Sequence, residues 1–144
     1  MNILVINGPN LNLLGEREID LYGSDSLEEL TMWLENAPEC LDHHFKFYQS
    51  NHEGEIIDIL HGERHWAQGI IINPGAFAHY SYAIMDAIKA VNIPTVEVHL
   101  TDIKKRDDFR KKSVIATVCI KQIVGLGKYS YLTAVQEFIT QNKK

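Results

Sequence analysis

The chain has 144 residues, 45% hydrophobic and 23% charged, with a formal net charge of -5. That length is expected to form one domain over residues 1–144, with a buried core and the composition of a soluble globular protein. The acidic balance excludes general nucleic-acid binding, no apolar run reaches the length of a bilayer span, and Cys40 and Cys119 lie far apart without a C-x-x-C pair or a signal peptide, which points to a reducing cytoplasm.

In chain order, Ile3-Leu4-Val5-Ile6 is an apolar run expected to be a buried strand. It leads into Gly8-Pro9-Asn10-Leu11-Asn12-Leu13-Leu14-Gly15-Glu16-Arg17 and then Asp20-Leu21-Tyr22-Gly23. Asparagines, an arginine and a tyrosine among glycines, fixed to a strand, have the layout of an active-site loop. Ser26-Leu27-Glu28-Glu29 is a capping box, opening a helix whose apolar face is Leu27, Leu30, Leu34 and Ala37. Residues 45–48 alternate as a second strand. Ile56, Ile57 and Leu60 mark a second helix, and residues 69–72 another buried strand. Ile84, Ala87, Ile88 and Val91 carry helical spacing, residues 95–98 are a further buried strand, and residues 117–124 a fifth, interrupted by Lys121 and Gln122. A last helix covers residues 131–139. Strands alternating with helices predict an α/β fold, a flavodoxin-like doubly wound sheet of five parallel strands with helices on both faces.

Open α/β sheets bind ligands beyond the carboxyl ends of their strands. Four strand ends here deliver polar side chains: Asn7, Asn10 and Arg17; Gln49 to Gly54; Asn73 to His79; and Glu97 to Thr101. Turn closure explains the glycines and prolines of these loops, but not Glu97 and His99. Two apart on a strand, those two face the same side of the sheet. A carboxylate there orients an imidazole and stabilises its charged form, which suits proton donation; the bland alternative is a structural ion pair. Tyr22 as a base needs a neighbouring cation, and Arg17 is at hand. A guanidinium about 4 Å away, at an effective dielectric of roughly 20, is worth up to about 4 kcal/mol to a phenolate before screening. The competing account is an exposed arginine and a tyrosine that anchors a lid.

Other features carry less. His61 and His65 have the spacing of zinc ligands but no third ligand nearby. Gly125-Leu126-Gly127 lacks a third glycine, since position 130 is Ser130, and reads as a tight turn. Lys104-Lys105-Arg106 and Arg110-Lys111-Lys112 flank Asp107-Asp108 as a mostly solvated face, with Arg110 the exception, suited to clamp a carboxylate or a diol.

Asn7-Gly8-Pro9-Asn10-Leu11-Asn12 with Gly15, Arg17 and Tyr22-Gly23 closely resembles the type II 3-dehydroquinate dehydratases. So do Gln49-Ser50-Asn51-His52-Glu53-Gly54, Asn73-Pro74-Gly75-Ala76-Phe77 with His79, Ser81, Ala83 and Asp86, and Glu97-Val98-His99-Leu100-Thr101 with Arg106 and Arg110. The blocks agree in order over nearly the whole chain. The resemblance implies a lyase that dehydrates 3-dehydroquinate to 3-dehydroshikimate, the third step of the shikimate pathway. The elimination is anti and passes through an enolate, with no metal, Schiff base or other cofactor. By position it implies that Tyr22 is the base, kept ionised by Arg17, and that His99, supported by Glu97, protonates the departing hydroxyl. Asn10 helps hold the water or side chain that stabilises the enolate; Asn73, His79 and Arg110 bind substrate hydroxyls; the amides of Leu100 and Thr101 receive the carboxylate. Asp86 reaches a neighbouring subunit's site in a dodecamer of four trimers. The chain departs from the family pattern at Ile19, usually proline, at Thr101, usually serine, at Asp102, usually asparagine, and at Asp107, usually glutamate.

Two other classes compete: a flavodoxin-like module that binds a flavin or nucleotide without chemistry, and a homologue that has lost activity. The first expects a phosphate-cradling loop, where this chain has Pro9, Leu11, Leu13 and Leu14. The second is opposed by Arg17, Tyr22, Glu97 and His99.

Overall fold

The computed structural model describes residues 1–143. Strands β1 (Asn2–Asn7), β2 (His44–Gln49), β3 (Gly69–Asn73), β4 (Thr95–His99) and β5 (Lys121–Val124) form one parallel sheet in the order β2-β1-β3-β4-β5. This is the flavodoxin-like order, and its switch point lies between β1 and β3. Two short helices, α1 (Ile19–Tyr22) and α5 (Asp108–Lys111), and four longer ones, α2 (Leu27–Asn36), α3 (Glu53–Gly62), α4 (Tyr82–Val91) and α6 (Tyr129–Asn142), complete the fold. Among the described residues, no helix is long and apolar enough to cross a membrane.

Successive side chains on a strand point to opposite faces, so a central strand must be apolar at every position. Ile3 and Val5 pack with Leu30 and Leu34 of α2 and with Tyr131, Val135 and Phe138 of α6. Leu4 and Ile6 pack on the other face with Ile56 and Leu60 of α3 and Ile84 and Ile88 of α4. Each such aliphatic side chain contributes about 1.5–3 kcal/mol when fully buried, which fixes the registers that bring the strand ends together.

The capping box of α2 forms as expected: the Glu29 amide donates to Ser26 Oγ at 3.1 Å, and the Ser26 amide donates to Glu29 Oε1 at 3.4 Å. Ala37, expected on that helix, lies just beyond its end with extended backbone. Pro38 follows, and a proline pushes the residue before it out of the helical region. The expected strand over 117–124 shortens to β5, preceded by a 3₁₀ turn over Ile115–Val118. Ser113 Oγ accepts from the Ala116 amide at 3.1 Å and the Thr117 hydroxyl donates to the Val114 carbonyl at 2.7 Å. These local bonds offer the backbone an alternative to the ladder. The last helix is longer than expected at both ends.

The β1 and β3 ends meet closely. The Gly8 amide donates to the Asn73 carbonyl at 2.7 Å, and a Cβ on Gly8 would lie 2.6 Å from the Pro74 carbonyl oxygen. Only glycine permits this approach.

Candidate active site

Beyond β1 the chain makes a 3₁₀ turn, Leu11–Leu13, and buries Leu11 and Leu14 against the core. Gly15 and Gly23, each at φ 88°, then bracket residues 16–22. Within that stretch α1 buries no side chain. A segment with no buried helical side chain between two left-handed glycines is suited to act as a lid.

Tyr22 stands at the end of this lid between two cations. The Arg17 guanidinium lies 4.4 Å from the centre of the Tyr22 ring, a cation–π contact. The phenol oxygen itself is met by Arg106, whose Nη1 donates to it at 3.0 Å. The sequence expectation paired Tyr22 with Arg17 alone; the charge on the oxygen comes from the basic run read as a solvated face. The neighbours of Arg106 are exposed as expected, Lys104 and Lys105 among them.

On the other side, His99 Nε2 and Glu97 Oε2 are 3.2 Å apart, and Glu97 has no exposed surface. Two further donors hold this carboxylate: Ser113 Oγ to Oε1 at 2.6 Å and Gln122 Nε2 to Oε2 at 2.5 Å. Burial pushes the Glu97 carboxyl up, but the hydrogen bond and charge of His99, with Ser113 and Gln122, together outweigh it and hold the carboxyl below its usual range. Glu97 is therefore a fixed anion behind His99, not a lining residue.

One cleft of about 140 Å³ is lined by Asn10, Arg17, Tyr22, Asn73, His79, His99, Leu100, Thr101, Arg106 and Arg110. Of the other expected site residues, Glu97 lies behind His99, and Asp86 is exposed on α4, away from this cleft. Asn10 takes a left-handed conformation, φ 68°, and its amide donates to Asn51 Oδ1 at 3.0 Å. Gln49 Nε2 donates to the Gly8 carbonyl and to Asn51 Oδ1, each at 3.1 Å, so the end of β2 supports the Asn10 turn. His79 Nδ1 is 2.8 Å from the Lys112 carbonyl, which can only accept. That nitrogen therefore carries a hydrogen and donates it to the carbonyl. The Arg110 guanidinium lies over Phe109, 4.8 Å from the ring centre.

The turn after β4 is tied down by its carbonyls: the Gly127 amide donates to Leu100 at 3.0 Å and the Gly125 amide to Thr101 at 3.1 Å. The amides of Leu100 and Thr101 meet no acceptor among the described residues, although both residues are buried. Adjacent unpaired N–H groups on two residues that line the cleft suit an anion. Asp102 does not line the cleft; its carboxylate accepts from the Lys104 amide at 3.0 Å and caps the following turn. Its extra charge is spent there. Sequence reasoning did not find Ser113 or Gln122, yet Gln122 was visible as a polar interruption in an apolar run, and it pairs in register with Glu97.

A doubly wound sheet that gathers a cation-flanked phenol and a carboxylate-backed imidazole at one strand-end cleft is laid out as an acid–base enzyme for a small substrate. Residues 1–139 match the sequence model of the family described as "Dehydroquinase class II", and the chain belongs to that family. It is 58% identical over 134 residues to the 3-dehydroquinate dehydratase of Caldicellulosiruptor saccharolyticus, covering 92% of each chain. It is 49% identical over 143 residues to that of Bacillus licheniformis, covering 99% of each. The crystal structure of type II dehydroquinase from Butyrivibrio crossotus superposes with a TM-score of 0.93 at 45% identity, covering 96% of this chain and 97% of that one.

Proposed function

We propose that this chain dehydrates 3-dehydroquinate to 3-dehydroshikimate, the third step of the shikimate pathway, by anti elimination through an enolate. The observation that carries this reading is the pairing, on one cleft, of Tyr22 between two guanidinium groups with His99 backed by Glu97. Tyr22 removes the proton next to the ketone, and Arg106 and Arg17 offset the negative charge that a tyrosine base carries. Asn10 helps stabilise the enolate oxygen. His99, its charged form supported by Glu97, gives a proton to the departing hydroxyl. Asn73, His79 and Arg110 bind substrate hydroxyls, and the amides of Leu100 and Thr101 receive the carboxylate. The C–H bond breaks to Tyr22 to give the enolate, and the enolate electrons then form the C=C bond as the C–O bond breaks and the hydroxyl, protonated by His99, leaves as water, so the chemistry calls for no imine with a lysine. The whole chain acts as one catalytic domain in the cytoplasm. Asp86, exposed on α4, serves a neighbouring copy in a trimer, four of which form a dodecamer.

A flavin- or nucleotide-binding module finds no support: the loop after β1 runs into a short turn packed by Leu11 and Leu14, not into a helix N-terminus that would seat a phosphate. Treating the enzyme with borohydride in the presence of 3-dehydroquinate tests the chemistry. Activity should survive, because nothing is trapped; progressive inactivation, with substrate bound covalently to lysine, would contradict the proposed route.

A further inference from the structure

Beneath the cleft, on the sheet face opposite Glu97, a chain of buried polar groups ends on Asn73. Tyr131, on the first turn of α6, has no exposed surface. Its hydroxyl donates to Asn7 Oδ1 at 2.6 Å and accepts from Asn73 Nδ2 at 3.0 Å. Asn7 and Asn73 are register partners at the ends of β1 and β3, 1% and 3% exposed. The Gly75 amide donates to Asn73 Oδ1 at 3.3 Å.

The direction of these bonds matters. A phenol has one hydrogen to give. With that hydrogen on Asn7 Oδ1, the Tyr131 oxygen can only accept, which selects the NH₂ end of Asn73. Gly75 selects its oxygen. Asn73 is thereby locked in one amide orientation while it lines the cleft, and the second hydrogen on its Nδ2 is left for a ligand. Burial pushes the Tyr131 phenol well above its usual range, partly offset by the Asn73 bond, so it stays a neutral donor.

Stability alone does not account for this arrangement. Asn7 Nδ2 is buried and meets no acceptor among the described residues. An orphan donor destabilises a core, and an apolar side chain would fill the same place without that cost. Local sacrifices of this kind are expected at functional sites.

We infer that Tyr131 and Asn7 are positioning residues that hold Asn73 in the amide orientation its substrate contact requires. The inference rests on the reading of Asn73 as a substrate-binding residue.

The test measures kcat, KM and thermal midpoint for Tyr131→Phe, Asn7→Leu, Asn73→Ala and the double variant Tyr131→Phe/Asn73→Ala, with 3-dehydroquinate as substrate. Asn73→Ala should lower kcat/KM about tenfold or more, the size of one hydrogen bond. Tyr131→Phe should lower it by about fivefold to tenfold, chiefly through KM, and should cost nothing further in the Asn73→Ala background. Asn7→Leu releases the Tyr131 hydrogen to turn toward Asn73, so it should lose kcat/KM comparably while keeping or raising the thermal midpoint. It also carries the test if Tyr131→Phe does not fold. Independent, additive losses in the double variant, or wild-type kcat/KM in folded Tyr131→Phe or Asn7→Leu, would overturn the inference alone. Wild-type kcat/KM in Asn73→Ala would overturn both it and the placement of Asn73 in the site.

Discussion

Tyr22 is reached by two arginines that do different things. Arg17 stacks on the ring, and Arg106 donates to the oxygen. If the oxygen is the base, Arg106→Ala should lower kcat at least as much as Arg17→Ala, and Tyr22→Phe should lower it by about 10²–10⁴, the usual worth of a general base. Steady-state kinetics on the three variants check this; near-normal turnover in Tyr22→Phe would remove the lid tyrosine from the chemistry. Glu97 permits a second prediction. Its carboxyl is held below the ordinary value near 4.5, so the folded state favours the charged form. Its contribution to stability is full above about pH 4.5 and is lost as pH falls through the lower folded value. Thermal midpoints recorded from about pH 6 to pH 3 should therefore fall more steeply for the wild type than for Glu97→Gln. Equal slopes would mean that the network of His99, Ser113 and Gln122 does not hold the carboxylate as described.

At the scale of elements, the β1 end comes against the turn after β3 at Gly8. A methyl on Gly8 would lie 2.6 Å from the Pro74 carbonyl oxygen, against backbone that cannot swing aside. Gly8→Ala should cost about 1–3 kcal/mol, the usual penalty of overpacking, and should lower activity, because Pro74 leads into the cleft-lining Gly75 and Ala76. Chemical denaturation and kinetics would show both losses together; an unchanged denaturation midpoint would contradict the close approach. The apolar runs that became β1, β3 and β4, and the capping box of α2, were legible because their signals lie within a few residues. The strand over 117–120 was misread because Ser113 and Thr117 bond locally to the backbone. Arg106, Ser113, Gln122 and Tyr131 were harder for another reason. Tyr131 meets Asn7 across 124 positions, and Arg106 meets Tyr22 across 84. Only the register of the sheet and the docking of α6 and the lid bring those partners together.

At the scale of the molecule, strand order 2-1-3-4-5 creates one crevice, and the polar strand ends converge on it. Tyr80, Tyr82 and Phe109 nonetheless stay 59%, 58% and 62% exposed, and Asp86 stands on the same helix as Tyr82. Sedimentation should find an assembly rather than a monomer, and Asp86→Ala should lose activity while keeping its thermal midpoint. A fully active monomer would contradict the role proposed for Asp86. Elimination by a tyrosine base and a histidine acid on this cleft can be followed by mixing the protein with 3-dehydroquinate. The ultraviolet absorbance of the conjugated enone is then followed for the wild type and for Tyr22→Phe. The absorbance should rise steadily with the wild type and almost not at all with the variant. No rise with the wild type at high protein concentration, or equal rates for the two proteins, would contradict that chemistry.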